Sequence, residues 1–551
     1  MNKNKLVILF TGIFMNLIFC SAFSQDLTWF SSGNGGIVAA GPKPSAQAGI
    51  DILSKGGNAI DGAVAVIFNL AVSDYGMFCI GGEVPFMFYS TSSKKVEVFN
   101  GMGGAPKDPK AIEWYYNNGI PKVGIRSATV PSAVSTLLTA LEKRGTMSFE
   151  QVIGPTLSLL DTKEKSWYEN LAVTLRKLIE TEKITTGTRE QKIRAARDRF
   201  YKGDIADELN DYYVSSNAFL RKADLEAHTT YIEEPASVQY RDYEVNKCNT
   251  WTQGPVMLQS LRLLENFDLK SMGHLSTDYV HVTIEAMKLA YADRDRYYGD
   301  PRFSKVPLEQ LLSDRYTKIR YPLIDMNYAS NRIRPGDPLK MIAEAGPGEY
   351  KPGEYGTTTC VVADRWGNVV AATPSANPEY GICENLGIAH NTRLSSLNIQ
   401  KGHPNALEPG KRPRITLTPT IILQNGKPIV AMSVAGGDMQ DQVSLQLFLD
   451  YAEFGMMPKE AIPAPRFKTY HMQDSFNPSS TDTARIFQIG ALDINAVDQK
   501  IIDELSSRGH EVTVFKESIA NPVMVCFDQS TGIAYAACNK GKFSGAVDLK
   551  K

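Results

Sequence analysis

Apolar residues near the start of the chain recur at the spacing of helices. Residues 45–54 have this spacing, and Gly56 with Gly57 ends the helix that they predict. Asn58 can cap a second helix over 59–72, which is apolar nearly all round and is therefore expected to be buried. Strands are predicted over 36–40, 86–90 and 95–99.

Helical periodicity predominates in the middle of the chain, over 148–320, with a strong helix predicted over 279–297. The following stretch, 335–355, contains four glycines, four prolines and few apolar residues. Such a composition is typical of a flexible loop or linker.

The pattern changes to strands at Thr357. Residues 357–363 and 368–375 are rich in β-branched and apolar residues and flank a polar turn, which predicts a hairpin. A second hairpin is predicted around Asn425 and Gly426. The elements expected after it are a helix over 438–454 and strands over 512–514, 523–527 and 533–537. Helices early and late with antiparallel strands between them predict a layered α+β fold.

The composition is that of an ordinary globular protein. Of the 551 residues, 43% are hydrophobic and 22% are charged, and the formal net charge is −1. This balance has no basic excess to attract nucleic acid. The expected partner is therefore a small molecule or a peptide-like substrate.

The N-terminus has the pattern of an export signal. Lys3 and Lys5 precede an apolar run over 6–19, and Ala22 and Ser24 are small residues at the spacing that a signal peptidase accepts. A membrane anchor is the alternative, but the run is shorter than the ~20 residues that a spanning helix needs. We expect a signal peptide over 1–24 and a secreted, periplasmic or extracellular protein with no stable membrane anchor after its cleavage.

Several familiar catalytic patterns are missing from the sequence. The chain has no G-x-S-x-G, H-E-x-x-H or P-loop motif, and its seven histidines and seven cysteines are scattered. No metal, cofactor or histidine-based triad is therefore predicted, and at most a disulfide could form in an oxidising compartment.

One junction does suggest chemistry. Gly356 ends the glycine- and proline-rich stretch, and Thr357 follows it directly. Glycine accepts the strained backbone that self-cleavage between these residues needs. The freed α-amino group of Thr357, with an ordinary pKa of about 7.7–8.0, could then act as the base for its own hydroxyl. The alternative is that the threonines simply favour a strand.

Five segments, in order along the chain, carry a wider pattern. The segments are 53–61 (LSKGGNAID), 130–132 (VPS), 290–301 (AYADR with GDP), 357–368 (TTT with D, G and N), and a last group at 411–420, 435–437 and 464–467. Together they resemble the gamma-glutamyltranspeptidase family of N-terminal-nucleophile hydrolases.

The resemblance implies a fold and a division of the chain. The implied fold is a four-layer αββα sandwich of the N-terminal-nucleophile type, with antiparallel sheets between helical layers. The implied parts are a large subunit over 25–356 and a small, catalytic subunit over 357–551, interleaved in one domain. These two subunits of the cleaved precursor would be each other's partners.

The resemblance also assigns site residues. It places the nucleophile at Thr357 and two supporting hydroxyls at Thr373 and Ser375, for which strand packing is the alternative. It places the oxyanion hole at the backbone N–H groups of Gly436 and Gly437, for which a tight turn is the alternative. Asn377 matches an asparagine that contacts the substrate in the family.

The residues at the positions that bind the gamma-glutamyl group in the family are different in this chain. The arginine that binds the substrate α-carboxylate falls on Met102, and a thioether cannot replace its bidentate contact. The family's serine pair falls on Ile415 and Thr416, and the residues for the α-amino group fall near Thr392 and Ser395.

Two further departures concern charge. The glycine run after Ile80 is interrupted by Glu83, Val84 and Pro85, and Arg393 or Lys107 could supply a substitute positive charge.

Three functions remain open from the sequence. The first is a self-processing amidase or acylase that acts through an acyl-enzyme on Thr357, with altered specificity because of Met102. The second is a genuine glutathione hydrolase and gamma-glutamyltransferase. The third is a periplasmic binding protein that kept the fold and lost the chemistry.

Overall fold

The computed structural model describes residues 23–24, 26–346, 357–376, 378, 381–476, 478 and 488–548. The predicted signal peptide therefore lies outside the described residues, except for the backbone of its last two positions, and so do residues 347–355 of the predicted linker.

Fifteen of the twenty strands in the described residues form two large antiparallel sheets, and the other five form two small sheets. The strands are β1 Phe23–Ser24, β2 Phe30–Gly33, β3 Gly36–Ala40, β4 Phe86–Ser90, β5 Lys95–Asn100, β6 Tyr231–Glu233, β7 Ala236–Tyr240, β8 Tyr243–Lys247, β9 Cys360–Asp364, β10 Val369–Ala372, β11 Ile382–Cys383, β12 Ile388–Ala389, β13 Thr420–Gln424, β14 Lys427–Ala435, β15 Phe467–Thr469, β16 Ala491–Ile494, β17 Glu511–Val514, β18 Asn521–Asp528, β19 Ile533–Cys538 and β20 Phe543–Asp548.

Seventeen α-helices lie among these strands in the described residues. They are α1 Lys43–Ser54, α2 Ala59–Ser73, α3 Pro109–Asn118, α4 Ala133–Arg144, α5 Phe149–Leu160, α6 Tyr168–Ile184, α7 Arg189–Lys202, α8 Asp204–Ser215, α9 Lys222–Glu226, α10 Pro255–Leu264, α11 Leu269–Met272, α12 Thr277–Tyr297, α13 Leu308–Leu311, α14 Asp314–Arg320, α15 Met439–Ala452, α16 Pro458–Ala461 and α17 Gln499–Ser507.

The two large sheets pack face to face between helices. One sheet has the order β1-β20-β3-β9-β10-β4-β5-β6 and the other β2-β19-β18-β14-β13-β8-β7. Period-2 alternation divides the side chains: Val361 and Ala363 of β9 enter the core between the sheets, while Cys360 and Val362 face α1, α2 and the neighbouring helices. Helices α10, α12 and α15 cover the second sheet. The predicted four-layer αββα sandwich is confirmed.

Most of the predicted elements are confirmed within a few residues. The helix predicted after Asn58 is α2, and Asn58 and Asp61 form a capping box at its start. Two expectations needed correction. The predominantly helical region 148–320 is interrupted by β6, β7 and β8, whose short segments mix polar and apolar positions. The strand predicted to begin at Thr357 begins at Cys360.

Among the residues that the structure describes, none of the helices combines the length and the apolar character needed to span a bilayer.

Candidate active site

The hairpin of β9 and β10 positions the predicted nucleophile. Val362 pairs with Val370, and the turn between the strands is closed by the Asp364 carboxylate. That carboxylate accepts hydrogen bonds from the backbone N–H of Asn368 at 3.0 Å and from its side-chain amide at 2.8 Å. It also accepts one from the N–H of Ala59 at 3.0 Å, which ties the N-terminus of α2 to the hairpin.

Thr357 lies just before this hairpin and is 5% exposed. Its hydroxyl oxygen is 3.4 Å from the hydroxyl oxygen of Ser375, so the chain segments before β9 and after β10 bring the two groups together. The next residue continues the pairing, because the N–H of Thr358 donates to the carbonyl of Pro374 at 3.0 Å. Gly356, the other side of the predicted cleavage, lies outside the described residues.

Thr358 is held by a charged pair from both ends of the chain. Its hydroxyl donates to the carboxylate of Asp74 at 2.6 Å. The ammonium of Lys542 lies 3.2 Å from the same carboxylate oxygen and 3.3 Å from the Thr358 hydroxyl. This anchor fixes the backbone directly after Thr357.

The two predicted supporting hydroxyls have different surroundings. Ser375 faces Thr357, whereas the Thr373 hydroxyl contacts that of Ser433 on β14 at 2.9 Å. Thr373 therefore links the hairpin to the second sheet, and only Ser375 contacts the predicted nucleophile.

Ser375 also lies beside a buried ion pair. The Arg393 guanidinium donates to the Glu83 carboxylate through Nε and to the Ser375 hydroxyl through Nη2. Glu83 and Ser375 exchange backbone hydrogen bonds of 3.0 Å in both directions. Both departures noted in the sequence thus meet at the candidate site. Lys107, the other proposed source of charge, is exposed to solvent.

Burial dominates the electrostatics of this pair. It raises the pKa of the Glu83 carboxyl to about 7, although the neighbouring Arg393 acts to lower it. The Phe476 ring lies 5.2 Å from the guanidinium carbon and shields the pair further.

The loop that carries Arg393 is ordered by an asparagine that the sequence did not single out. Asn391 accepts hydrogen bonds from the N–H of Thr129 at 3.1 Å and from the N–H of Arg393 at 3.1 Å. Its amide nitrogen donates to the carbonyl of Gly81 at 2.9 Å. Asn391 therefore joins the segment before the V-P motif to the segment that leads into Glu83.

Gly436 and Gly437 form the turn between β14 and α15. Their φ angles are +154° and +57°. A Cβ at Gly436 would lie 2.7 Å from that of Ala520, and one at Gly437 would lie 3.0 Å from the Phe476 ring. Among the described residues, neither backbone N–H has a hydrogen-bond acceptor. Both amides lie at the N-terminus of a helix, where the dipole favours negative charge.

Residues of the A-Y-A-D-R motif form hydrogen bonds with the residue that follows this glycine turn. Arg294 is fully buried and donates to the carboxylate of Asp438, which directly follows Gly437. The Tyr291 hydroxyl donates to the Asp438 carbonyl at 2.7 Å. The motif of α12 therefore fixes the position at which α15 begins.

Gln440 is a second residue that the sequence did not single out. It lies in the first turn of α15, and its side-chain amide is 3.4 Å from the Thr357 hydroxyl. When the amide nitrogen donates to the carbonyls of Thr416 and Val434, each at 3.1 Å, the amide oxygen faces Thr357. A polar residue one turn after the glycine pair is the sequence signal that could have identified it.

The predicted substrate-binding residues occupy different environments. Met102 is fully buried in the core between the sheets, together with Trp251 and Ile415. Thr416 is buried next to Gln440, and its hydroxyl has no partner among the described residues. Thr392 and Ser395 flank Arg393, and the Ser395 hydroxyl donates to the Thr392 carbonyl at 2.8 Å.

The remaining predictions concern Asn377 and the absence of a metal site. Asn377 lies outside the described residues. Within the described part of the chain, no group of three or more His, Cys, Asp or Glu side chains is arranged to hold a metal ion.

Comparisons with known proteins identify the family of the chain. The gamma-glutamyltranspeptidase family model matches residues 45–163 and 161–547. The glutathione hydrolase proenzyme of Bacillus subtilis (strain 168) is 30% identical over 557 residues, covering 94% of this chain and 92% of that protein. The acylase ACY 1 proenzyme of Pseudomonas sp. (strain SE83) is 27% identical and covers 92% of each chain.

A solved structure gives the same result in three dimensions. LmbA2991HD has 31% sequence identity and a TM-score of 0.83, covering 95% of this chain and 99% of that one. The chain therefore belongs to the gamma-glutamyltranspeptidase family and is an enzyme of the amidase and acylase type of N-terminal-nucleophile hydrolases.

Proposed function

We propose that the chain cleaves itself between Gly356 and Thr357 and then hydrolyses an amide through an acyl-enzyme on Thr357. The observation that carries the proposal is the 3.4 Å contact between the hydroxyls of Thr357 and Ser375 at the start of the β9–β10 hairpin. Hydroxyls at this spacing let Ser375 orient the nucleophile's proton and lone pairs.

Self-cleavage would begin with attack of the Thr357 hydroxyl oxygen on the Gly356 carbonyl carbon. The C–N bond between the two residues breaks, the nitrogen takes the hydroxyl proton, and an ester links Gly356 to Thr357. The α-amino group of Thr357 is free once the C–N bond has broken, and water then hydrolyses the ester to release the Thr357 hydroxyl and the Gly356 carboxylate. The products are a large subunit over 25–356 and a small subunit over 357–551.

The mature reaction would use the same hydroxyl. The freed amine takes the proton of the Thr357 hydroxyl while its oxygen attacks the substrate carbonyl. The N–H groups of Gly436 and Gly437 stabilise the negative charge that develops on the carbonyl oxygen. Removal of one such donor typically lowers the reaction rate by ~10²–10³-fold. The leaving amine takes the proton, and water releases the acyl group from Thr357.

The relatives support this scheme because the names of both curated relatives include the word proenzyme. Their names also mark two directions for specificity, glutathione hydrolysis and acylase activity. We favour an acyl group other than gamma-glutamyl, because the position of the family's carboxylate-binding arginine is Met102, which lies in an apolar core. Genuine gamma-glutamyl transfer is the second candidate, and the charge of Arg393 next to Ser375 is the observation that favours it.

The N-terminal pattern and the family together support export of the precursor. We place the mature enzyme outside the cytoplasm, in the periplasm or the medium, after removal of residues 1–24. A catalytically inactive binding protein is the least favoured function, because the chain retains Thr357, Ser375 and the glycine turn.

A panel of chromogenic amides tests the proposed function. It should include gamma-glutamyl nitroanilide and nitroanilides of other acyl groups, assayed with wild type, Thr357→Ala and Thr357→Ser. We expect turnover of at least one amide by wild type, slower turnover by Thr357→Ser and none by Thr357→Ala. Equal turnover by wild type and Thr357→Ala would exclude Thr357 as the nucleophile, and efficient turnover of the gamma-glutamyl compound would favour the second candidate.

A further inference from the structure

The strongest feature that the proposed chemistry leaves unused is the ion pair of Glu83 and Arg393. The two residues are 310 positions apart in the sequence, and the fold brings them to the Thr357–Ser375 contact. Neither charge is needed for attack by Thr357. The pair therefore calls for a separate explanation.

Its burial argues against a purely stabilising role. The side chains of Glu83 and Arg393 are 0% and 4% exposed. Removing two charges from water costs free energy that a buried ion pair often fails to recover, so such pairs are weak contributors to stability. Because the ion pair lies beside the proposed nucleophile, an effect on ligand binding explains its presence better than an effect on stability.

The pair is also incompletely satisfied. Glu83 Oε1 accepts from Arg393, but Glu83 Oε2 is buried and has no hydrogen-bond partner among the described residues. An unpaired buried carboxylate oxygen is costly, and a ligand that donates a hydrogen bond would remove the cost. The carboxylate of Glu83 meanwhile occupies the guanidinium edge at Nε, which a carboxylate of the substrate would otherwise contact.

We propose that Glu83 determines the acyl specificity by acting as an internal carboxylate against Arg393, so that the site prefers an uncharged acyl group bearing a hydrogen-bond donor. This inference rests on the proposed function and names its substrate class. Above about pH 7, where Glu83 is ionised, an acyl group that ends in a carboxylate meets its negative charge, whereas a carboxamide donates to Glu83 Oε2 and accepts from Arg393. Like charges brought together in a site oppose binding.

The test uses matched pairs of substrates with one leaving group. Succinyl, glutaryl and adipoyl nitroanilides end in a carboxylate, and their terminal-carboxamide counterparts have the same length and shape. We expect kcat/KM of the mature wild type to favour the carboxamide at the best chain length by about tenfold or more. Glu83→Gln should shift this ratio toward the carboxylate by about tenfold or more, because Arg393 then has no internal anion.

A matched control shows whether the change in substrate ratio is specific to Glu83 or follows from the loss of any buried carboxylate. Glu142 is also buried and is paired with Arg194 and Arg197, at a surface formed by α4 and α7. Glu142→Gln should leave the substrate ratio unchanged. Should Glu83→Gln fail to mature, inhibition of wild type by glutarate and by its monoamide gives a second readout, with the monoamide expected to bind about tenfold more tightly.

The outcomes distinguish this inference from the proposed function. An enzyme that matures and turns over amides but prefers the carboxylate series, or whose ratio does not change in Glu83→Gln, would overturn the inference alone. A chain that never matures and turns over no amide would overturn the proposed function first.

Discussion

Lys542 and Asp74 form an ion pair of 3.2 Å, and both contact the hydroxyl of Thr358. Asp74 belongs to the proposed large subunit, whereas Thr358 and Lys542 belong to the proposed small subunit. The pair therefore holds the residue after the nucleophile from both sides of the proposed cleavage.

Loss of this anchor should slow maturation. We expect Asp74→Asn to reduce the rate of self-cleavage by about tenfold or more, since a small misplacement of a reacting group can cost far more than the contact itself. Pulse-chase gels of the precursor measure the rate. Asp161→Asn, which breaks an exposed ion pair with Arg176, is the control and should cleave at the wild-type rate. Equal self-cleavage rates in Asp74→Asn and Asp161→Asn would show that Asp74 has no specific role in maturation.

Ser375 should be required for its hydroxyl rather than for its packing. We expect Ser375→Ala to lower kcat by about 10²-fold or more, because the Thr357 hydroxyl loses the neighbour that orients it. Ser375→Thr keeps the hydroxyl and should retain most of the activity. Steady-state kinetics on the mature variants decide this, and similar losses in both would indicate that packing is what matters.

The glycine turn should be intolerant of a side chain at Gly437. There φ is +57° and an added Cβ would press on Phe476 at 3.0 Å. We expect Gly437→Ala to lower kcat by about 10²-fold through displacement of the oxyanion donors. It should also lower the free energy of unfolding by about 1–2 kcal/mol through the left-handed backbone.

Gly426 offers a matched control for that variant. Its φ is +72° in the β13–β14 turn, and no atom lies within 4 Å of a built Cβ. Gly426→Ala should have a similar effect on stability and none on kcat. A Gly437→Ala enzyme with wild-type kcat would exclude the turn from the oxyanion site.

His390 should make the fold sensitive to acid. Burial lowers its pKa to about 4, and it accepts or donates only to Tyr213 and Gly381 within the described chain. Because the folded pKa lies below the ordinary value of 6.5, the stabilisation is present above pH 6.5 and is lost as the pH falls toward 4. The full change is about 3 kcal/mol.

Denaturant unfolding across this pH range measures the effect. We expect the free energy of unfolding of wild type to fall between pH 6.5 and 4, and the fall to be smaller in His390→Gln. Identical pH profiles would show that His390 does not carry this linkage.

Local sequence patterns predicted most of the fold. The Asn58 cap, the apolar α2 and the hairpin of β9 and β10 each depend on neighbouring residues, and each is confirmed. Strands β6–β8 were not predicted because their short, partly polar segments lie among strong helices, and their pairing with β5 and β13 depends on distant residues.

The site was predictable only where one hairpin or one turn defines it. Thr357 and Ser375 are joined by a hairpin whose register follows from its turn, so their contact could be expected. Glu83 and Arg393 could each be identified as departures, but their pairing across 310 positions is set by the packing of two loops on Ser375. Gln440 could have been marked as a candidate by its place one turn after the glycine pair, but its contact with Thr357 depends on how α15 packs, which no local pattern specifies.

N-terminal sequencing of the purified, exported protein tests the central claim most directly. The account predicts two polypeptides in equal amounts, of which the smaller begins at Thr357, while Thr357→Ala yields a single uncut chain. A smaller polypeptide beginning at any other residue, or a wild-type protein that stays uncut and is still active, would contradict it.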